Sequence, residues 1–365
     1  MGLAPSPGSA LVVPAIDISP YVSAGTGSSD DTDGDRARVA REIDEACSTV
    51  GFIQILGHGI PAGAADGLAA AIDDFFALPL DTKKTYVSPP QINRGYTAPR
   101  SEQLSLSLGV ESATRMNDFF EAFNIGATAA DYPTADPAVL AGNAYTANIW
   151  PAETTDFEAR TRAWFAHAGQ VARTLTRIFA DALDLPSDFF AAYTDHSLDV
   201  LRMNNYALPP GEIVLDGDLL GMGEHTDYGI VTVLWADQVR GLQVLAADGS
   251  WNDVSPLPGA LLVNLGDLTN RWTNERWQST LHRVKPPIVD GAIMRRRSAA
   301  YFHDGNIDAV IAALPSCVDD THPVLYPPIT VGDHIQAKLN GSRGLTLNAS
   351  GTERDAARVT SATPA

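Results

Sequence analysis

The sequence predicts an α+β chain in which a mainly helical first half buttresses a jelly roll built from the second half. Three observations carry this. Apolar residues recur at helical spacing in three stretches before Pro186. From Leu201 onward, short alternating segments sit between Gly, Pro, Asn and Asp turns. Hydrophobic residues make up 45% of the 365 residues and charged residues 19%, which suits a chain with one large core. One structural unit is expected: residues 1–150 as its N-terminal helical and strand region, 151–340 as a long helix plus the rolled core, and 341–365 as a flexible tail.

The elements follow in order. Residues 1–10 read as a tail, 12–18 as a short strand and 25–35 as a polar acidic loop. Val39, Ile43, Ala46, Cys47 and Val50 share a helical face that Gly51 ends, and residues 52–56 alternate as a strand. A second helix joins Leu68, Ile72, Phe75 and Phe76 and stops at Pro79. A third, long one runs from Phe157 through Trp164, Val171 and Ile178 towards Pro186. Strands are expected over residues 201–206, 230–235, 242–245, 261–265, 279–284 and 298–302, with a hairpin turn at Ala247-Asp248-Gly249. The polar stretch from Asn340 reads as a frayed end.

Charge and cysteine content narrow the class of function. Lys and Arg number 25 against 44 Asp and Glu, a net charge of −19, so phosphate backbones and anionic membrane surfaces would be repelled. No apolar run approaches the roughly 20 residues of a membrane span, and the N-terminus lacks the pattern of a signal peptide. Cys47 and Cys317 cannot build a disulfide framework and read as reduced thiols of a cytoplasmic protein. The number of subunits is not legible.

The chemistry gathers at Gly223-Glu224-His225-Thr226-Asp227. On an extended chain residues i and i+2 point to one side, so His225 and Asp227 face the same pocket. His282 lies in another strand-like segment, which a rolled sheet can bring alongside. Two imidazoles and a carboxylate on one face of a metal form the facial triad of non-haem Fe(II) chemistry. Three protein ligands leave open positions, enough for an anionic chelating co-substrate and O2, which a closed four-ligand site would deny. Arg296 and Ser298 share one strand face, where a guanidinium and a hydroxyl can make a carboxylate clamp, although Arg295-Arg296-Arg297 taken alone reads as a solvated basic run. Arg202, Asn204 and Tyr206 share a face of another strand, where Asn204 and Tyr206 can complete a polar pocket, although taken alone the pattern reads as ordinary strand alternation.

These segments, taken together, resemble the isopenicillin N synthase-like family of Fe(II)- and 2-oxoglutarate-dependent oxygenases. Val13-Pro14-Ala15-Ile16-Asp17, Gly51-Phe52-Ile53-Gln54-Ile55-Leu56-Gly57-His58-Gly59-Ile60, Asn93-Arg94-Gly95-Tyr96, the Arg202-Asn204-Tyr206 strand, His225-Thr226-Asp227, Val263-Asn264-Leu265-Gly266-Asp267 and His282-Arg283-Val284 occur in the family's order over nearly the whole length. The resemblance implies a double-stranded β-helix core, Fe(II) held by His225, Asp227 and His282, and 2-oxoglutarate gripped through its distal carboxylate by Arg296 and Ser298 with Tyr206 and Asn204 assisting. It implies oxidation of a small organic molecule with O2, hydroxylation by default with desaturation or ring formation also open, while 2-oxoglutarate loses CO2 to become succinate. Phe302 would line the substrate side, with Tyr228, Tyr96 and Arg94 as further candidates.

The stretch between His282 and Arg296 is longer than the resemblance leads one to expect, and residues 286–291 read as an inserted loop. Three arginines in a row leave the choice of clamp open; strand parity with Ser298 and Phe302 favours Arg296 and turns Arg295 and Arg297 to solvent. Asn264, Gly266 and Asp267 read as structural, with Asp267 capping a short helix. Trp235, Trp272 and Trp277 read as core. Three alternatives stay open at this stage: an iron oxidase of the same fold that uses no 2-oxoglutarate, a zinc hydrolase, and a cupin-like binder.

Overall fold

The computed structural model describes residues 11–22, 32–109, 118–207, 221–285, 288–289, 292–343 and 348. The helices are α1 (Ser19–Val22), α2 (Thr32–Thr49), α3 (Ala62–Phe76), α4 (Leu80–Lys84), α5 (Pro137–Leu140), α6 (Phe157–Ala182), α7 (Asp267–Trp272) and α8 (Val331–Ser342). The strands that build the core are β1 (Ala15–Asp17), β2 (Phe52–Leu56), β3 (Gly95–Thr97), β4 (Glu121–Gly126), β5 (Val200–Tyr206), β6 (Met222–His225), β7 (Val231–Ala236), β8 (Leu242–Leu245), β9 (Trp251–Asp253), β10 (Leu261–Leu265), β11 (His282–Val284), β12 (Ile288–Val289), β13 (Ala292–Ile293) and β14 (Arg296–His303).

A major sheet runs in the order β1-β2-β10-β7-β14-β5-β4-β3, and a minor sheet runs β6-β11-β8-β9. Strands of both halves of the chain therefore share one sheet. Side-chain alternation divides it into two faces. Ile53, Ile55, Leu201, Met203, Val233, Val263, Ala299 and Tyr301 join the core packed against α2, α3 and α6. Phe52, Tyr206 and Leu262 turn the other way, towards Met222, Leu242, Val244 and Val284 of the minor sheet. The space between the two sheets is where the polar side chains collect. Each large apolar side chain buried in these layers contributes about 1.5–3 kcal/mol, which holds the polar cleft rigid from both sides.

Several sequence expectations shift. α2 begins at Thr32, so residues 32–35 of the expected acidic loop form its first turn; Asp33 and Asp35 there meet the positive end of the helix dipole. α3 ends at Phe76, before Pro79, which instead precedes α4. α6 ends at Ala182, where Asp184 takes a left-handed φ of 54°. Of residues 279–284 only His282–Val284 pair as a strand. The expected loop at 286–291 contains a short antiparallel pair: Ile288 opposes Ile293 and Val289 opposes Ala292. The expected fraying from Asn340 is wrong for residues 340–343. Asn340, Gly341 and Ser342 belong to α8, Gly341 packs on the backbone of Leu106 and Ser107, and Arg343 pairs with Glu102 at 2.9 Å. Asn348 adds bonds to the carbonyls of Leu106 and Ser107. The remaining tail, like residues 1–10, lies outside the described residues.

Candidate active site

β6 and β11 pair antiparallel with His225 opposite His282, and Asp227 follows just beyond the end of β6. All three are buried, at 5%, 7% and 7% exposure. One ligand atom from each lies within 4.8 Å of the others; among the described residues this is the one group of His, Cys, Asp or Glu that gathers so closely. Asp227 Oδ1 stands 3.9 Å from His225 Nε2 and 3.7 Å from His282 Nε2.

The surroundings set the chemical state of each ligand. His225 Nδ1 donates to Gly223 O at 2.8 Å and His282 Nδ1 to Thr280 O at 3.0 Å. A carbonyl only accepts, so each ring carries a proton on Nδ1 and turns its Nε2 to the centre. Burial, and then the neighbouring His282 ring, pushes the His225 imidazole down to a neutral state. Asp227 Oδ2 accepts from Thr232 Oγ1 at 2.5 Å and from Asn264 Nδ2 at 2.6 Å, which leaves Oδ1 for a cation. Phe52 stands edge-on to His282 with ring centroids 5.3 Å apart and closes the back of the site. This donor set, two imidazole nitrogens and one carboxylate oxygen on one side, fits Fe(II) with open positions on the other.

Glycine holds the Asp227 loop in place. A Cβ on Gly266 would sit 2.2 Å from Gly229 O, so only glycine lets the end of β10 approach the residues after Asp227. Gly266 then donates to Ile230 O at 3.1 Å and Asp267 N to Asp227 O at 2.9 Å. The expectation that Asp267 caps α7 is wrong, because the cap position is Gly266. The Asp267 carboxylate binds Ser279 at 2.8 Å, Thr226 at 3.2 Å and Lys338 of α8 at 2.7 Å instead.

β14 shows the alternation that its sequence implies. Arg296, Ser298, Ala300 and Phe302 face the cleft, with Arg296 opposite Tyr206 of β5 and Ser298 opposite Asn204. Arg296 is 2% exposed, yet its Nε and Nη1 have no partner among the described residues. Its guanidinium lies 5.3 Å from the centre of the Tyr206 ring, and Asn204 Nδ2 is 3.5 Å from Ser298 Oγ. Buried, unanswered donors on a permanent cation mark a place built for an anion. Arg295 and Arg297 point away from the cleft, but not to bare solvent: both reach Asp73 of α3, at 2.7 Å and 2.6 Å, and Arg297 also binds Asp237.

The cavity continues past the triad between β4, β5, the β14 end and α8. Phe302 and Tyr228 border it, together with Glu102, Asn93, Asn124, Arg202, Asp304 and Arg343. Tyr96 and Arg94 do not. Tyr96 is 2% exposed and gives its hydroxyl to Glu121 at 2.6 Å. Arg94 is 4% exposed and donates to the carbonyls of Ala127 and Ala144, a role in holding loops together. Neither is a solvated loop residue, since each is locked in place by a buried partner. Trp272 and Trp277 are core, and Trp235 packs against Trp164.

Two family models match the chain in sequence order: the non-haem dioxygenase in morphine synthesis N-terminal model over residues 13–153 and the 2OG-Fe(II) oxygenase superfamily model over residues 198–305. The 2-oxoglutarate-Fe(II) type oxidoreductase hxnY of Emericella nidulans is 34% identical over 340 residues, which cover 91% of this chain and 90% of that protein. The chain belongs to the 2OG-Fe(II) oxygenase superfamily. Validamycin A dioxygenase of Streptomyces hygroscopicus subsp. limoneus is 32% identical, covering 89% of this chain and 85% of the relative. The crystal structure of a full-length Neurospora crassa protein in complex with alpha-KG and thymine superposes with a TM-score of 0.75 at 27% identity, covering 92% of this chain and 98% of that one.

This superfamily member is therefore an Fe(II)- and 2-oxoglutarate-dependent dioxygenase that oxidises small molecules, with His225, Asp227 and His282 as its facial triad. The α+β class with a double-stranded β-helix holds as well. The oxidase, hydrolase and binder alternatives fall away. No helix among the described residues is long and apolar enough to cross a membrane. Sequence reasoning reads Asn264 as part of a turn and does not single out Thr232, Glu102 or Arg343. For Asn264 a signal exists: its parity on β10 puts it on the face of Phe52 and Leu262.

Proposed function

We propose that this enzyme hydroxylates a small organic molecule, with Arg296 and Ser298 gripping the distal carboxylate of 2-oxoglutarate. The observation that carries the clamp is the Arg296 guanidinium, buried with Nε and Nη1 unanswered at the inner end of the cleft. Ser298 adds a hydroxyl on the same face, Asn204 orients that hydroxyl, and the Tyr206 ring supports the guanidinium. Fe(II) with bound 2-oxoglutarate and O2 supplies the oxidant that takes a hydrogen from a substrate carbon and returns a hydroxyl, while CO2 and succinate leave.

The chain's own contribution is positioning. Thr232 and Asn264 hold Asp227 with one oxygen inward, Gly223 and Thr280 fix the two imidazoles, and Phe52, Leu242 and Val284 keep water from the co-substrate. Phe302 and Tyr228 are assigned to the substrate side, where Asn93 and Asn124 add polar edges. The enzyme is assigned to the cytoplasm: the acidic charge argues against a nucleic-acid partner, and the two free cysteines suit a reducing compartment. The test is succinate formed in step with O2 uptake in the Fe(II)-loaded protein. Iron-dependent turnover with 2-oxoglutarate omitted would defeat the assignment, and so would an unchanged 2-oxoglutarate requirement in Arg296→Gln.

A further inference from the structure

The half of the cavity beyond the triad carries two arginines and one carboxylate that answers both. Arg202 comes from β5 and Arg343 from the end of α8, and Glu102 lies between them at 6% exposure. Glu102 Oε2 accepts from Arg202 Nη2 at 2.7 Å, and its Oε1 pairs with Arg343 Nε at 2.9 Å. Both carboxylate oxygens are then engaged. Arg202 Nε turns to Asn204 Oδ1 at 3.2 Å, and the guanidinium rests on the Phe120 ring. Arg202 Nη1 and both Nη groups of Arg343 have no protein partner among the described residues, and each side chain keeps 11% exposure where it borders the cavity.

Charge completes the picture. Two guanidiniums against one carboxylate leave a single positive charge inside a chain whose net charge is −19. Burial alone would favour a neutral Glu102, but the two arginines outweigh it and keep the group ionised. Asp304 borders the same cavity but does not cancel the excess. It packs against Gly229, and its charged neighbours are Asp199 and Asp227 rather than the arginines. One surplus charge and several free, planar N–H edges suit a monoanion with two oxygens better than a phosphate dianion.

We propose that the substrate carries a carboxylate that docks between Arg202 and Arg343, with Glu102 as the fixed counter-ion that holds both guanidiniums towards the cavity. This rests on the oxygenase reading and deepens it: an acidic substrate would be anchored from β5 on one side and α8 on the other.

The experiment is anaerobic calorimetric titration of the full chain, loaded with Mn(II) and saturated with 2-oxoglutarate so that the Arg296 end is occupied. The probes are aliphatic, aromatic and heteroaromatic monocarboxylates, each paired with its primary amide. At least one acid is expected to bind about tenfold or more tightly than its amide, a difference of about 1.4 kcal/mol. Arg202→Gln and Arg343→Gln should each erase that preference. Amides that bind as well as their acids, a panel in which no acid binds, or a preference that survives both substitutions would each overturn the proposal. The acid–amide comparison on the unsubstituted chain needs no variant, so it decides the matter even where a substitution fails to fold. A protein that makes succinate from 2-oxoglutarate yet shows no acid preference keeps the oxygenase reading and loses this inference alone.

Discussion

His225 and His282 are Cα partners across the antiparallel β6–β11 pair, and their ring centroids stand 4.2 Å apart. Backbone pairing, not a long loop, thus sets the spacing of the two nitrogen ligands. A one-residue slip of β11 would turn His282 out of the cleft. Substituting either histidine by alanine should abolish turnover and reduce metal content well below one ion per chain. Anaerobic Fe(II) titration with 2-oxoglutarate, followed by the visible charge-transfer band, reads both effects. Retention of that band in His282→Ala would mean that some other side chain completes the site.

The carboxylate ligand depends on a neighbour that donates to its outer oxygen. Asn264 Nδ2 lies 2.6 Å from Asp227 Oδ2, and Thr232 Oγ1 lies 2.5 Å from the same atom. Partners of this kind typically govern metal affinity by about 10–100-fold. Asn264→Ala should weaken Mn(II) binding within that range while leaving the 2-oxoglutarate KM nearly unchanged at saturating metal. Thr232→Val should act in the same direction, and the double variant should lose more than either alone, because both bonds end on one oxygen. Unaltered metal affinity in the double variant would show that Asp227 needs no such support.

Why some of this was legible in the sequence, and some was not, follows from the range of each interaction. The triad and the clamp obey the period of two along β6, β14 and β5, so parity alone put Arg296, Ser298 and Phe302 on one face. Periodicity also located α3 and α6, whose apolar stripes are long. Parity puts Asn264 on the cleft face of β10, but its bond to Asp227, like that from Arg343 to Glu102, joins residues far apart in sequence, and no local pattern announces either partner. Tyr96 and Arg94 misled for the complementary reason. Both belong to a familiar loop motif, but their partners, Glu121 and the Ala127 and Ala144 carbonyls, come from elsewhere and draw them into the interior.

Arg296 and Arg297 are adjacent and chemically identical, yet they should respond to substitution in opposite ways. Arg296 is buried with free donors facing the cleft, whereas Arg297 binds Asp73 and Asp237 on the far side of the sheet. Arg296→Gln should cost 2-oxoglutarate binding about 2–5 kcal/mol, as expected for removing one partner of a desolvated charge pair, with little change in melting temperature. Arg297→Gln should leave the 2-oxoglutarate KM near its original value and lower the melting temperature, since Asp237 loses its cation and Asp73 keeps only Arg295. The pair of KM values decides the matter; a reversed pattern would place the clamp on Arg297.

The buried ion pair between Asp267 and Lys338 ties α8 to the first residue of α7, beside the metal site, and its stability should depend on pH with a definite sign. Burial alone would raise the Asp267 carboxyl, but Lys338 at 2.7 Å, followed by His334, outweighs it and holds the group well below the usual carboxylate range. A depressed folded-state value means that the unfolded chain binds the proton first. The stabilisation is therefore fully present above the unfolded value of about 4 and is lost as pH falls through the lower folded value. Lys338→Met removes one partner of a pair in which Lys338 is 5% exposed and Asp267 11%, and should cost about 3–5 kcal/mol at neutral pH. It should also shrink the loss of stability between about pH 4 and pH 2, because the remaining carboxyl no longer prefers its ionised form. Urea melts at pH 7 and across the acid range measure both quantities. Equal acid sensitivity in the variant and the parent would show that the pair contributes nothing to the acid limb, even if the neutral-pH loss appears in full.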